Sequence, residues 1–299
     1  MHVHASAAEF LARHLASLDR EVPSLLLRVG RQTDPEAIHD LRVAVRRLRT
    51  LLRLGRPIFG RFHTDLIRAV YTRVGRATGA LRDEEVFLEL LDKHGRGITA
   101  PLDAELEAFV GTRRVRERSL RGEVLQALET DAITEARTML AALLALPVRP
   151  KRDRELARFG RRAVIRALSE VDAHRDAKSG EVEELHALRI AYKHLRYTLE
   201  FFGPVLPPDL TAAEEVAVRF QKRLGDLHDL DVALVTIAEA TRARNDEGRV
   251  EAELAEALSQ RFREARAKKF SAFEAEMHPR RPGAGALGGP GGGDGAAGH

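Results

Sequence analysis

Hydrophobic residues recur along this chain at helical rather than strand spacing, and the pattern is sharpest in two stretches that repeat one another. In the first, Leu41, Val45, Leu48 and Leu52 gather on one side of a helix drawn at 100° per residue, while Arg42, Arg46, Arg49 and Arg53 gather on another. The second copy follows 147 residues later, as His186-Ala-Leu-Arg-Ile-Ala-Tyr-Lys-His-Leu-Arg against His39-Asp-Leu-Arg-Val-Ala-Val-Arg-Arg-Leu-Arg. In each, a histidine is followed three, seven and ten positions later by cations: Arg42, Arg46, Arg49 and Arg189, Lys193, Arg196. Those positions fall within an arc about 80° wide. Asp34 is suited to cap the first helix, Pro35 to its first position, and Gly55 with Pro57 to its end after Leu54. The second copy is expected to start near residues 179–181 and to run to Phe202, with Gly203-Pro204 as its stop.

The repeat continues beyond these helices. Arg73, Arg76, Gly79, Leu81, Asp83 and Val86 match Arg219, Lys222, Gly225, Leu227, Asp229 and Val232 at an offset of 146. The chain is therefore expected to be a duplicated helical unit, with halves near 8–146 and 152–278 joined at residues 147–151. Further amphipathic helices are predicted over 102–121 and 131–145 in the first half and over 226–243 and 248–277 in the second. Residues 281–299, almost all Gly, Ala and Pro, are expected to be disordered. Alternating Val, Ile and Thr runs bounded by turn dipeptides are missing, so the fold class is all-α, helix packed on helix.

Composition sharpens this picture. A hydrophobic content of 44% suffices for a packed core. The net charge is only +4, but charge is segregated: from Arg42 through Arg82 there are eleven arginines and one acid, Asp65. Acids collect elsewhere, at Glu181–Glu184 and Glu247–Glu256. Segregation of this kind suits an anionic partner. Cysteine is absent, which removes disulfide and thiolate chemistry. The first ten residues lack a secretory pattern, and no apolar run approaches the roughly 20 residues that span a bilayer. A soluble cytoplasmic protein with no membrane partner is expected.

The basic arc from residue 39 to 53 is about 21 Å long at 1.5 Å per residue, enough for several phosphates of an extended chain. A solvated helix face is the plain alternative, but such faces mix signs at i,i+4, whereas Arg42/Arg46, Arg46/Arg49 and Arg49/Arg53 are like-charged neighbours. Arginine's planar fork suits phosphate oxygens. His39 and His186 open the arc in both copies, either as phosphate contacts or orienting hydrogen bonds, or as helix caps. Gly79–Asp83 and Gly225–Asp229 are expected as helix-to-helix turns, with Asp83 and Asp229 capping the following helices or else pairing with arginines. No phosphate-binding Gly loop, dinucleotide fingerprint, HExxH pattern or carboxylate cluster is present, so neither a metal, a cofactor nor a catalytic residue is predicted.

The segments IHDLRVAVRRLRTLLRLGRPIFG and LHALRIAYKHLRYTLEFFGPVL, followed by GALRDEEVFL and GDLHDLDVAL, resemble the CHAD domain, the conserved histidine α-helical domain, over roughly residues 5–278. The resemblance implies two four-helix bundles related by a pseudo-twofold axis, with a basic channel between them. It implies binding of inorganic polyphosphate and association with polyphosphate granules, without catalysis. The family's paired histidines and the cations that follow them match His39, Arg42, Arg46, Arg49 and His186, Arg189, Lys193, Arg196. Its second basic helix matches Arg73 and Arg76 in one half and Arg219, Lys222 and Arg223 in the other. Arg53 extends the first arc, but Glu200 stands at the matching place in the second, and His194 stands opposite Arg47 off the main arc. The ExExK signature of a triphosphate-tunnel enzyme, often fused to such domains, is absent. Nucleic acid is the second candidate partner, disfavoured because the arc carries no aromatics for base stacking and the chain no groove-reading motif. Phosphoryl transfer is the third candidate, disfavoured by the missing metal carboxylates.

Overall fold

In the computed structural model the described residues are 6–31, 34, 36–95, 97–98, 100–148, 153–211, 213–242 and 251–278. The first half holds α1 (Ala7–Arg31), α2 (Ala37–Phe59), α3 (Arg61–Ala77), α4 (Gly79–Gly95), α5 (Ala100–Leu128) and α6 (Asp131–Ala145). The second holds α7 (Leu156–Asp172), α8 (Val182–Phe202), the short α9 (Pro208–Thr211), α10 (Ala213–Arg242) and α11 (Ala252–Met277). No strand occurs among the described residues. A single isolated bridge between Ser6 and Glu155 ties the start of α1 to that of α7, and Ser6 Oγ donates to Asp153 at 2.8 Å. The all-α class thus holds. Pro35, part of the 147–151 junction and the 281–299 tail lie outside the described residues.

The two basic helices begin and end for identifiable reasons. Asp34 does not cap α2 directly. Its Oδ1 accepts the Glu36 N–H at 2.9 Å while Oδ2 takes Arg28 Nη2 at 2.5 Å, and the helix begins at Ala37. Nor do Gly55 and Pro57 end it. Proline removes one backbone bond, but Ile58 and Phe59 on the next turn are buried, and their transfer from water, each on the order of 1.5–3 kcal/mol, holds the helix together. It stops at Gly60, whose φ of 97° an L side chain rarely adopts. By contrast α8 runs from Val182 to Phe202 and gives way to a 3-10 turn at Gly203–Val205, as its Gly-Pro predicts.

The expected turns at Gly79–Asp83 and Gly225–Asp229 are corrected by the structure. In the first half only Thr78 separates α3 from α4, and Asp83 already lies within α4. In the second half no break exists: α10 runs through Gly225 and Asp229 as one helix, so Asp229 caps nothing. The difference traces to one position. Thr78 is buried, with its hydroxyl donating to the Val74 carbonyl at 3.1 Å and accepting Arg42 Nη1 at 2.8 Å. Its counterpart Leu224 is a buried core residue with good helix propensity, whose burial outweighs the ~1 kcal/mol cost of Gly225 beside it.

Three clusters of buried residues hold these helices together. One is built by α1, α2, α3, α6, the C-terminal end of α5 at Val124, Leu156 of α7 and the end of α8 at Phe201 and Phe202. Another is built by α7, α8, the N-terminal half of α10 and the C-terminal part of α11 around Phe270 and Phe273. The third, not anticipated from the sequence, draws on both halves: Phe87, Leu91 and Phe109 of α4 and α5 pack with Leu230, Ile237, Leu258 and Phe262 of α10 and α11. It contains a buried ion pair, in which Arg113 Nε and Nη2 donate to Glu84 at 2.7 and 2.5 Å while the guanidinium lies 5.0 Å from the Phe87 ring centre.

Candidate anion-binding site on the two basic helices

The apolar faces of α2 and α8 point into the first two clusters, which leaves their basic arcs to meet one another. Arg46 Nη1 donates to the Tyr197 hydroxyl at 3.1 Å, and Arg47 pairs with Glu200. Arg53 Nη1 donates to His194 Nδ1 at 3.0 Å and lies 3.8 Å from Glu170 of α7. Arg42 is anchored from the other side by the Gly75 carbonyl at 3.2 Å and by Thr78.

The consequence is a concentration of positive charge around Lys193. Burial, reinforced by Arg189, Arg46, Arg42 and Arg49, pushes its ammonium down to about 7. Burial likewise lowers Arg189, Arg42 and Arg49, and neighbouring arginines add to the effect in each case. Arg49, Arg189 and Lys193 have no hydrogen-bond or ion-pair partner among the described residues, and Arg49 Nε is buried without an acceptor. Cations left this way raise the free energy of the empty protein and recover it when an anion arrives. His186 is lowered by burial, then by Arg189 and Lys193. Its ring centre lies 4.9 Å from that of His228, which burial and the same cations push down to about 4. His228 is therefore neutral at pH 7. His194 is also lowered, chiefly by burial and then by Arg53.

Two carboxylates stand at the end of this cluster. Asp83 and Asp229 are both raised by burial, opposed by Arg42 and Arg189 for Asp83 and by Arg189 for Asp229. Both lie within electrostatic reach of Arg189, and Asp83 also of Arg42, but neither forms an ion pair with an arginine among the described residues. Among the described residues no three His, Asp or Glu side chains are grouped so as to hold a metal ion.

Not every expected residue joins the cluster. Arg42, Arg46, Arg49, Arg189 and Lys193 do, with His186 beside them, and Arg76 lies within electrostatic reach of Arg49. Arg53 sits at the far end. Arg73 instead lines a small cavity against α5 and α6 with Val70 and Ile133. Arg219 and Arg223 are both taken up by Glu276 of α11, the latter at 2.6 Å. Arg196 donates to Gln221 of α10 at 3.1 Å, while His39 and Lys222 have no hydrogen-bond or ion-pair partner among the described residues. Sequence reasoning missed Thr78, Tyr197, His228 and Arg68, the last being the largest charged influence on Arg49. His228 sits inside the GDLHDLD motif and was open to notice. Tyr197, one residue beyond the arc, carried no signal.

Comparison with known proteins bears on the fold that carries this site. The CHAD-domain family model matches residues 9–238. Among solved structures, the chain is similar to the CHAD domain from the plant Ricinus communis, with a TM-score of 0.69, 22% identity and 94% of each chain covered. It is also similar to PptA from Streptomyces chartreusis, with a TM-score of 0.67, 20% identity, and 91% of this chain and 98% of that one covered. At such identities the likeness is one of fold. No curated protein matches the chain.

Proposed function

The chain belongs to the CHAD-domain family, and from that premise we propose that it is a non-enzymatic binder of inorganic polyphosphate, acting in the cytoplasm and at polyphosphate granules. The two halves, 8–146 and 152–278, are proposed to be related by a pseudo-twofold axis that passes between α2 and α8, with a basic channel along the crossing. One observation carries the reading: Arg42, Arg46, Arg49 and Arg189 converge on an unpaired Lys193. A lone carboxylate or single phosphate would neutralise only part of such a cluster. A linear polyanion satisfies successive cations along about 21 Å of helix.

Within this proposal His186 and His39 contact or orient phosphates. Arg53, Arg76, Arg196 and Lys222 extend the track. Arg219 and Arg223 contribute only if they leave Glu276, and Arg73 stands apart from the line. Binding is tested by titrating the protein with long-chain polyphosphate at two salt concentrations, with duplex and single-stranded DNA as competitors. Affinity is expected to fall as salt rises, because bound phosphates release counterions, and to resist DNA. Arg46→Glu with Lys193→Glu is expected to abolish binding while leaving helicity by circular dichroism unchanged. Retained affinity in that variant would remove these helices from the site, and equal displacement by DNA would make the surface a general polyanion binder.

A further inference from the structure

A second concentration of arginine lies outside the crossing of α2 and α8. A cavity of about 810 Å³ opens between the C-terminal half of α2 and α7. Arg158, Arg162 and Arg166 of α7 form one rim. At 1.5 Å per residue they follow one another about 6 Å apart. Arg53, Arg56 and Arg61 form the opposite side, and Arg154 stands at one end. Against seven guanidinium groups the cavity itself holds one carboxylate, Glu170. Asp65, just outside, engages Arg56 at 2.5 Å and lies 3.8 Å from Arg61. The α7 row has no hydrogen-bond or ion-pair partner among the described residues.

This row is a property of α7 alone. The buried positions Leu11, Leu15, Leu18 and Val22 of α1 match Gly160, Val164, Ala167 and Val171 of α7 at a constant offset of 149. At that offset the three arginines stand opposite Glu9, Arg13 and Ser17. The duplicated pattern therefore does not require three like charges at i, i+4 and i+8, which destabilise an isolated helix by a few tenths of a kcal/mol per pair. A solvated face would gain from mixing signs, as α1 does.

The cavity differs from the polyphosphate track in chemistry. Its floor is apolar, made by Leu54, Pro57, Phe159 and Ala163. A bare phosphate chain has nothing to lay on such a floor, whereas a ligand with an organic body and several phosphates covers both floor and rim. The volume is that of a small-molecule pocket, typically about 300–1,000 Å³. Guanidinium forks in a row suit consecutive phosphates. We propose that the cavity between α2 and α7 is a second ligand site, which takes a nucleoside polyphosphate with its phosphates on the α7 row and its base and sugar over the floor. Arg53 belongs both to this cavity and to the end of the α2 arc, so occupancy of the one site is felt at the other.

The test uses the full chain and ATP without added divalent metal, followed by calorimetry, with AMP and tripolyphosphate for comparison. ATP is expected to bind one site, at least tenfold more tightly than AMP. Arg158→Ser/Arg162→Ser/Arg166→Ser, all exposed positions, is expected to lose ATP by tenfold or more and to keep long-chain polyphosphate. Arg46→Glu/Lys193→Glu is expected to do the reverse. Arg162→Glu alone is a second variant, with the same direction as the triple change. The proposal is overturned if ATP fails to bind, if ATP follows the Arg46/Lys193 variant instead, or if the α7 variant loses long-chain polyphosphate and ATP alike. Tripolyphosphate binding the α7 row as tightly as ATP would remove the role of the floor. Vesicles of phosphatidylcholine with a phosphoinositide that bind through the row while ATP does not would assign it to a lipid headgroup instead.

Discussion

Under the proposed function, Lys193 makes polyphosphate binding a proton-coupled event. In the ligand-free protein its ammonium titrates at about 7. A phosphate chain laid against it replaces a field of neighbouring cations by one of anions, which returns the ammonium toward the ordinary value of about 10.4. At pH 8 the free protein then carries about 0.1 proton on this group and the complex about one, so binding takes up close to one proton. Carried through the same linkage, the affinity falls by about 50-fold between pH 7 and pH 9, on the order of 2.3 kcal/mol, and levels off only below about pH 6. Calorimetry at pH 8 in buffers of different ionisation enthalpy reads the proton number directly. Wild type is expected to give a value near one and Lys193→Arg near zero, with affinity retained in the variant. A zero value for wild type, or an unchanged one for Lys193→Arg, would refute the reasoning. Stability carries the complementary sign. The folded pKa lies below the unfolded one, so the unfolded chain holds more protons between about 7 and 10.4, and the ligand-free fold gains stability as pH rises through that window.

Two further substitutions separate binding from folding. A Cβ added at Gly75 would lie 3.2 Å from Arg49 Nη1, so Gly75→Ala is expected to raise helix stability by about 1 kcal/mol and yet to weaken polyphosphate several-fold by moving that guanidinium. Thermal unfolding and titration check the two halves, and unchanged affinity would detach Arg49 from the site. Arg113→Leu leaves the buried Glu84 without its main partner. It is expected to cost about 3–5 kcal/mol in urea unfolding, and Glu84→Leu added to it should recover most of the loss.

Much of the scaffold was legible because one face of each helix is buried, and burial at 3.6-residue spacing leaves a trace in sequence. That trace placed α6 and α8, and it located the cations that crowd Lys193. Helix ends were less legible. Pro57 and Gly55 are strong breakers locally, yet Ile58 and Phe59 pull the helix past them into the core. A matched Gly-x-Leu-x-Asp motif suggested two turns, whereas the outcome depended on the single residue before it, Thr78 or Leu224. Partners across space left no periodic mark: Glu276 lies 57 and 53 residues from the arginines it occupies, Arg219 and Arg223. The α7 row leaves no mark in the internal repeat, because its positions are not shared by both copies.

The third core cluster has a consequence for how such a chain can exist at all. It is closed by α4 and α5 from one half against α10 and α11 from the other. A single copy of the unit would carry Phe87, Leu91 and Phe109, or Leu230, Ile237 and Phe262, on a face with nothing to cover it. Under the proposed pseudo-twofold relation the two faces are counterparts, and two identical copies would shield each other as in an isologous dimer. On the proposed relation the chain corresponds to a symmetric dimer with its subunits joined end to end. On that relation the seam constrains both copies alike, whereas surfaces away from it, such as the arginine row of α7, can differ between them.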